Sequence, residues 1–416
     1  MSPSPSPETL AVAVVLFVAI AAYALLAGAD FGGGVWDLLA GGPERGAAAR
    51  AAIDESVTPV WEANHVWLIF ALVILWTGFP TAFAAIMTAL FIPLSASLLG
   101  IIMRGVGFAF RHHAYALRAQ QLTGGLFAIG SLLTPFLLGT VIGAIVTGQV
   151  RAGGLSGAGS LIGAGGFGRE VSAWTTPTAL LTGALFVAAC AYVGAIFLTV
   201  DTRRRGETAM VDYFRIRAVA AGLVTGALAG VTLGVLSFSS PYVFGRLTGT
   251  ALPPVVISIA AGIAALILLL LRQTRGLRIA AGAAVAAIVA GWGWGQYPYL
   301  LPTTLTLQAG SAPTNSHLAV LAVVGLAALL VAPGFGLLYW LHQRDVLAEV
   351  PTTETLRQAV ETETPQAPPG QQPPGGVTAA RRSHPVIETV VLAAVGARVV
   401  RDILTRGRGR HQAGKG

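Results

Sequence analysis

One short stretch of this chain combines side chains that are rare inside apolar sequence. Glu62, Asn64 and His65 bring a carboxylate, an amide and an imidazole together at the start of a long apolar run. Because Glu62 and His65 are three residues apart, an α-helix would present both on one face. Ionisable groups are costly in a membrane, and where they occur they commonly serve proton transfer or another function. The spacing therefore predicts a proton-carrying site.

A second candidate is Asp30, which is followed closely by the glycine run Gly32–Gly34. Glycines in a membrane helix allow a close approach of backbones or a local break. Asp30 is open to two interpretations: a helix cap at the interface, or a carboxylate that lines a wet path between helices. Asp37, further along, is predicted to be interfacial. We predict that Asp30 and Glu62 belong to one proton pathway, delivered by adjacent helices to the same depth.

The composition sets the class of protein in which this chemistry would operate. The chain has 416 residues, of which 54% are hydrophobic and 11% are charged. Soluble domains carry roughly 25% charged residues, so the sequence indicates an integral membrane protein. The net charge of +8 comes almost wholly from arginine and points to membrane topology, not to nucleic acid. The single cysteine, Cys190, excludes an intrachain disulfide.

The apolar runs predict nine transmembrane helices, because each span needs about 20 apolar residues and only helices satisfy their own backbone in lipid. The predicted spans are 9–29, 57–79, 81–103, 122–148, 174–200, 213–237, 253–271, 277–296 and 317–341. Most arginines before residue 342 are predicted to lie in the loops that follow the first, third, fifth and seventh spans. Arg104 is one of these predicted loop residues. Only Arg151, Arg169 and Arg246 fall in the opposite loops. The positive-inside rule then places the N-terminus outside and the C-terminus in the cytoplasm.

A faint internal repeat suggests how these spans are grouped. Leu16–Tyr23 in the first span resembles Leu185–Tyr192 in the fifth. We therefore expect an all-α membrane protein of two four-helix units plus one peripheral helix. The transmembrane domain would cover residues 1–342. A disordered Pro/Gln-rich linker would follow over 343–384, and a basic cytoplasmic tail with a short amphipathic helix over 385–416.

Other marks have a structural interpretation. Gly130-Ser131, Pro135, Gly139 and Gly143 place small residues at i, i+4 spacing in the fourth span, which is typical of a helix-packing face. The histidines are scattered: His112 and His113 are adjacent and point in different directions on a helix. No second histidine or cysteine stands near His65 at ligand spacing. A metal site within this chain alone is therefore not predicted.

Five segments in order along the chain resemble subunit II of the cytochrome bd family of quinol oxidases, including its cyanide-insensitive branch. They are Gly28–Gly34, Pro59–Leu68, Arg104–Phe108 with Arg111, the Gly130-Ser131 to Gly139 face, and Gln296–Pro302. Each segment alone is a modest signal, but together they are specific. The resemblance covers roughly residues 9–341.

The resemblance implies a heterodimer in the bacterial plasma membrane with a subunit I that holds haem b and haem d and oxidises quinol. Subunit II would then support the haem side and help to supply cytoplasmic protons for the reduction of O₂ to water. On this basis Asp30 and Glu62 match the family's membrane acids, and Trp61 matches the aromatic residue beside the second. Trp61 and His65 are candidate haem-side contacts. A small accessory subunit is compatible with the resemblance.

The chain departs from the family pattern at two positions. Many relatives have aspartate where Glu62 stands, and some have an acid where this chain has Gly28, so a two-acid cluster near Asp30 is in doubt. Two other functions fit the residues. Nine spans with repeats and buried acids also suit a proton-coupled secondary transporter. An assembly or stabilising protein with vestigial acids is the third interpretation.

Overall fold

A computed structural model describes residues 4–42, 44–111, 117–151 and 171–343, and of 57–63 it describes the backbone alone. Two compact units divide the chain, Met1–Val324 and Gly325–Gly416. The predicted linker over 343–384 and the predicted tail over 385–416 lie almost wholly outside the described residues. Both therefore stay predictions.

The described chain is a set of helices with one small hairpin. The helices are α1 Pro7–Leu38, α2 Ala47–Gly78, α3 Pro80–Ala89, α4 Phe91–Arg111, α5 Leu117–Val146, α6 Pro177–Arg205, α7 Thr208–Ser239, α8 Pro241–Leu247, α9 Leu252–Leu270, α10 Leu277–Gln296, α11 Leu307–Gly310 and α12 Thr314–Gln343. Strands β1 Tyr299–Leu301 and β2 Leu305–Thr306 pair antiparallel between α10 and α11. The prediction of an all-α membrane architecture is confirmed in its main feature.

Eight of the described helices are long and apolar enough to cross a membrane, and the number rises to nine if α2 and α3 form one bent span. The count of nine, the two four-helix units and the sidedness of the termini stay predictions. Several helices extend beyond the predicted spans: the first helix continues past residue 29 to Leu38, and α2 begins at Ala47, ten residues before the predicted start. The segment predicted as one span over 81–103 is divided between α3 and α4.

The bend between α2 and α3 has a local cause and specific partners. The two helices turn by 119° at Phe79, directly before Pro80, which has no amide hydrogen to continue the α2 ladder. The carbonyl of Gly78, the last residue of α2, accepts hydrogen bonds from the Ala312 amide at 2.8 Å and from His317 Nε2 at 2.9 Å. The Thr9 hydroxyl lies 3.3 Å from Nδ1 of the same imidazole. A buried histidine thus joins the starts of α1 and α12 to the broken end of α2.

Helix α1 packs against α2 and α6, and α5 packs against α4 and α6. Glycines permit the closest of these approaches: the Cα of Gly32 would lie 2.7 Å from a Cβ placed on Gly194. The indole of Trp36 donates to the Ala191 carbonyl at 2.8 Å and fixes the same pair of helices. The predicted packing face on α5 is confirmed, since Gly139 and Gly143 lie against the backbone of α6.

Gly194→Ala tests this packing directly. The added methyl group would overlap the α1 backbone at Gly32, and overpacking of this kind costs about 1–3 kcal/mol. Gly226→Ala in α7 is the matched control, because nothing lies within 4 Å of its added Cβ and alanine favours a helix by about 1 kcal/mol. Thermal unfolding in mild detergent should show a lower midpoint for Gly194→Ala only. Equal midpoints for the two variants would contradict the close approach of α1 and α6.

Candidate functional site: a buried carboxylate–guanidinium pair

Asp30 lies inside α1 and forms an ion pair with Arg104 of α4 in the interior of the helix bundle. Its side chain is 0% exposed and that of Arg104 is 1% exposed. Nη1 and Nη2 of Arg104 donate to Oδ2 and Oδ1 of Asp30, each at 2.7 Å. Two parallel bonds of this length form the bidentate geometry that makes arginine–carboxylate pairs strong and directional.

The remaining contacts of Arg104 hold its guanidinium in place. Nη2 also donates to the backbone carbonyl of Asp30 at 2.9 Å, and Nε donates to the Ser131 hydroxyl at 2.8 Å. That hydroxyl in turn donates to the Phe127 carbonyl at 2.7 Å. The rings of Phe31 and Phe127 lie 5.2 and 4.7 Å from the guanidinium carbon, within cation–π range. The cation is therefore satisfied by both hydrogen bonds and aromatic faces.

Asn64 brings a third helix to the pair. Its side-chain amide, buried in α2, donates to Oδ2 of Asp30 at 3.1 Å. Its carbonyl oxygen Oδ1 is buried and has no hydrogen-bond partner among the described residues. An unpaired buried acceptor is costly, so this oxygen is a place where a water molecule or another donor would bind favourably. With Ser131 in α5, four helices converge on one carboxylate.

Small residues make room for this convergence. A Cβ on Gly130 would lie 2.9 Å from both the Cβ and the amide nitrogen of Arg104, and one on Gly34 would overlap the Ser131 hydroxyl. Of the two expectations for the glycine run after Asp30, close packing is therefore observed. The other expectation, a local break, is not, because α1 continues to Leu38.

The energetic meaning of the pair follows from its burial. Removing a carboxylate and a guanidinium from water costs several kcal/mol per ion, and their attraction offsets this cost only with good geometry and further hydrogen bonds. Such a pair adds little net stability compared with apolar packing, but removing one partner costs about 3–5 kcal/mol. Charged groups in a membrane interior are therefore functional candidates by default.

The structure places the predicted site residues as follows. Asp30 is not a helix cap, because it lies well inside α1. Asp37 is buried within the protein, with Oδ1 3.3 Å from Nε of Arg50; its place at the membrane interface stays a prediction. The backbones of Trp61 and Glu62 lie in α2, but their side chains lie outside the described set. His65 is half-buried in α2, one residue after Asn64.

The sequence analysis does not identify Arg104 and Ser131 as residues of this site. Arg104 was assigned to a cytoplasmic loop, and this assignment is wrong, because it lies within α4 and is buried. For Ser131 the sequence predicts only a packing role. A signal was present, since Arg104 is a lone charge between apolar residues, as Asp30 is. Two opposite isolated charges in neighbouring membrane helices are natural partners.

The candidate metal ligands do not cluster in the part of the chain that the structure describes. Among the described residues, no group of three His, Cys, Asp or Glu side chains gathers as a metal site would require. Both ring nitrogens of His317 already have polar neighbours, Gly78 and Thr9.

Comparison with known proteins relates this arrangement to one family. The family model of cytochrome bd terminal oxidase subunit II matches residues 8–342. The chain is 31% identical over 135 residues to subunit 2 of the cytochrome bd ubiquinol oxidase of Bacillus subtilis (strain 168), covering 32% of this chain and 38% of the relative. It is 28% identical over 131 residues to cytochrome bd-I ubiquinol oxidase subunit 2 of Escherichia coli (strain K12), covering 32% and 34%. These alignments thus span little more than a third of each curated relative.

A solved structure extends the similarity to most of the fold. The bd oxidase from Geobacillus thermodenitrificans contains a chain that superposes with a TM-score of 0.61 at 22% sequence identity. The superposition covers 81% of this chain and 99% of that chain. At this level of identity the match shows a shared fold.

Removing the partners of the ion pair singly and together tests how strongly they depend on each other. Asp30→Asn and Arg104→Gln should each lower the free energy of unfolding by about 3–5 kcal/mol, because each leaves a buried charge alone. The double variant should lose clearly less than the sum of the two, as measured by denaturant unfolding in detergent. The same cycle at the exposed pair Asp212–Arg272 should give a coupling of about 0–1 kcal/mol. Additive losses at Asp30 and Arg104 would contradict the buried pair.

Proposed function

This chain belongs to the cytochrome bd terminal oxidase subunit II family, and from that premise we propose that it is the second subunit of a quinol:O₂ oxidoreductase in the bacterial plasma membrane. The observation that carries the proposal is the family match over residues 8–342, which coincides with the apolar helices α1 to α12. The shared fold with a chain of a solved bd oxidase supports it.

In the proposed complex the partner is a subunit I that holds haems of the b and d types and oxidises quinol. Haem supplies the chemistry of O₂ reduction there when it is bound. Trp61 and His65 are proposed to contact the haem-bearing side of the partner.

The specific role proposed for this chain is to help supply cytoplasmic protons through Asp30 and Glu62. Asp30 is a carboxylate in the bundle interior, where an ionisable group needs a function to offset its cost. Asn64 donates to Asp30 and lies two residues after Glu62 in α2, so the Glu62 stretch runs beside the Asp30 site. Oδ1 of Asn64, which has no partner among the described residues, is a binding point for a water molecule beside Asp30.

The ion pair indicates different roles for Asp30 and Glu62 in the proposed proton supply. Both carboxylate oxygens of Asp30 accept from Arg104, so in the closed pair Asp30 is bound to a fixed cation. Glu62 is therefore the more direct proton carrier in the proposal. Asp30 and Arg104 would hold Asn64 in place and keep a polar point in an otherwise apolar interior.

The proposed assembly can be tested by purification of the full chain through a C-terminal tag in mild detergent. We expect one large membrane partner to co-purify, together with a haem signal in the reduced-minus-oxidised spectrum. Untagged cells carried through the same steps are the control. A colourless protein without a partner, from cells grown at low oxygen, would contradict the oxidase assignment. That result would favour a proton-coupled secondary transporter.

Glu62→Gln tests the proposed proton route in the assembled complex. It removes the titratable proton but keeps the size of the side chain, so oxygen consumption should fall by about one to two orders of magnitude with haem content intact. Glu62→Asp should retain most of the activity, because it keeps the carboxylate. Glu55→Gln is the matched control, since Glu55 is an exposed acid on the same helix. If the Gln variants at 62 and 55 had equal activity, Glu62 would not be on the route.

A further inference from the structure

A cavity of about 290 Å³ lies where α6 turns into α7 and α9 turns into α10, away from the Asp30 site. Three arginines and one acid line it: Arg203, Arg215, Arg272 and Asp212. The proposed oxidase function uses none of these residues. The cavity is therefore a separate feature that needs its own explanation.

The charges around this cavity do not cancel. Asp212 is shared between two arginines: its Oδ1 accepts from Nε of Arg215 at 3.1 Å, and its Oδ2 lies 3.9 Å from Nη1 of Arg272. Within the described ranges, no acidic side chain pairs with Arg203. One carboxylate thus faces three guanidinium groups, and the cavity carries an excess of positive charge that favours an anion.

The surroundings indicate the depth at which a ligand would sit. Residues beside the cavity arginines in the chain are large, apolar and exposed: Ile216, Leu270 and Leu271. In a membrane protein, exposed apolar side chains face acyl chains, and arginines beside them lie at the level of lipid headgroups. The cavity therefore opens where phosphate groups of the bilayer are abundant.

We propose that this cavity binds a phosphate group through Arg203, Arg215 and Arg272. Guanidinium groups bind phosphate oxygens through paired, charge-assisted hydrogen bonds, and three of them around one space match a tetrahedral anion. The same chemistry is offered by the headgroup of an anionic phospholipid and by free phosphate. The two sources differ in whether acyl chains add to the affinity.

The test uses the full chain, purified with its co-purifying partners and stripped of lipid by detergent exchange. Binding is measured by thermophoresis with short-chain phosphatidylglycerol, matched phosphatidylcholine and inorganic phosphate. In the double variant Arg203→Gln/Arg272→Gln we expect the affinity for phosphatidylglycerol to fall at least about tenfold, because two charged hydrogen-bond donors are lost. Arg275→Gln is the matched control: it removes an arginine from the same turn, outside the cavity wall, and should change the affinity less than about twofold.

The outcomes separate the sources and can overturn the proposal. Arginine-dependent binding that is stronger for phosphatidylglycerol than for inorganic phosphate supports a lipid headgroup site. Arginine-dependent binding of equal strength for both supports a site for a soluble phosphate. Equal affinities for phosphatidylglycerol and phosphatidylcholine would overturn the proposal, and so would equal weakening by Arg275→Gln and the double variant. Size-exclusion profiles and unfolding midpoints verify that the variants are folded.

Discussion

The burial of one carboxylate and one guanidinium inside an apolar bundle is the constraint on which the rest of this structure depends. Asp30 and Arg104 are both almost wholly shielded from solvent, so each must receive from the protein what water would otherwise provide. That requirement explains why Asn64 and Ser131 converge on the pair from two further helices. It also explains the glycine run after Asp30, because helices whose polar groups must meet at hydrogen-bond distance need small residues between their backbones.

A second polar junction obeys the same rule at another place in the bundle. The carbonyl of Gly78 lies at the end of α2, and a membrane protein cannot leave such a group without a partner. His317 and the amide of Ala312 supply donors to it. Thr9 ties α1 to the same imidazole. Helix α1 is thus held by polar contacts at both Thr9 and Asp30, and apolar packing on α2 and α6 occupies the length between them.

Two errors of the sequence analysis have one physical origin. Hydropathy predicted the apolar helices, and the spacing of small residues predicted the packing face. Asp30 was a candidate because charged residues are rare in apolar sequence. The sequence analysis assumed that a charged residue ends a membrane span. That assumption ended the first predicted span before Asp30 and placed Arg104 in a loop. A charged residue interrupts an apolar run in the sequence, but the helix can continue through that residue where a side chain of opposite charge pairs with it. That partner is 74 residues away in the chain, and spacing within one helix cannot reveal a contact between two helices.

The geometry also bears on the proton route proposed for this chain. A carboxylate that accepts two short bonds from one guanidinium is well placed to orient its neighbours. Asn64 is the neighbour that it orients, since one end of its amide donates to Asp30 and the other end has a free acceptor among the described residues. An acceptor fixed in this way can hold a water molecule beside the Glu62 stretch. The buried pair thus keeps one polar position open in an otherwise apolar interior, at the place where the proposed route would run.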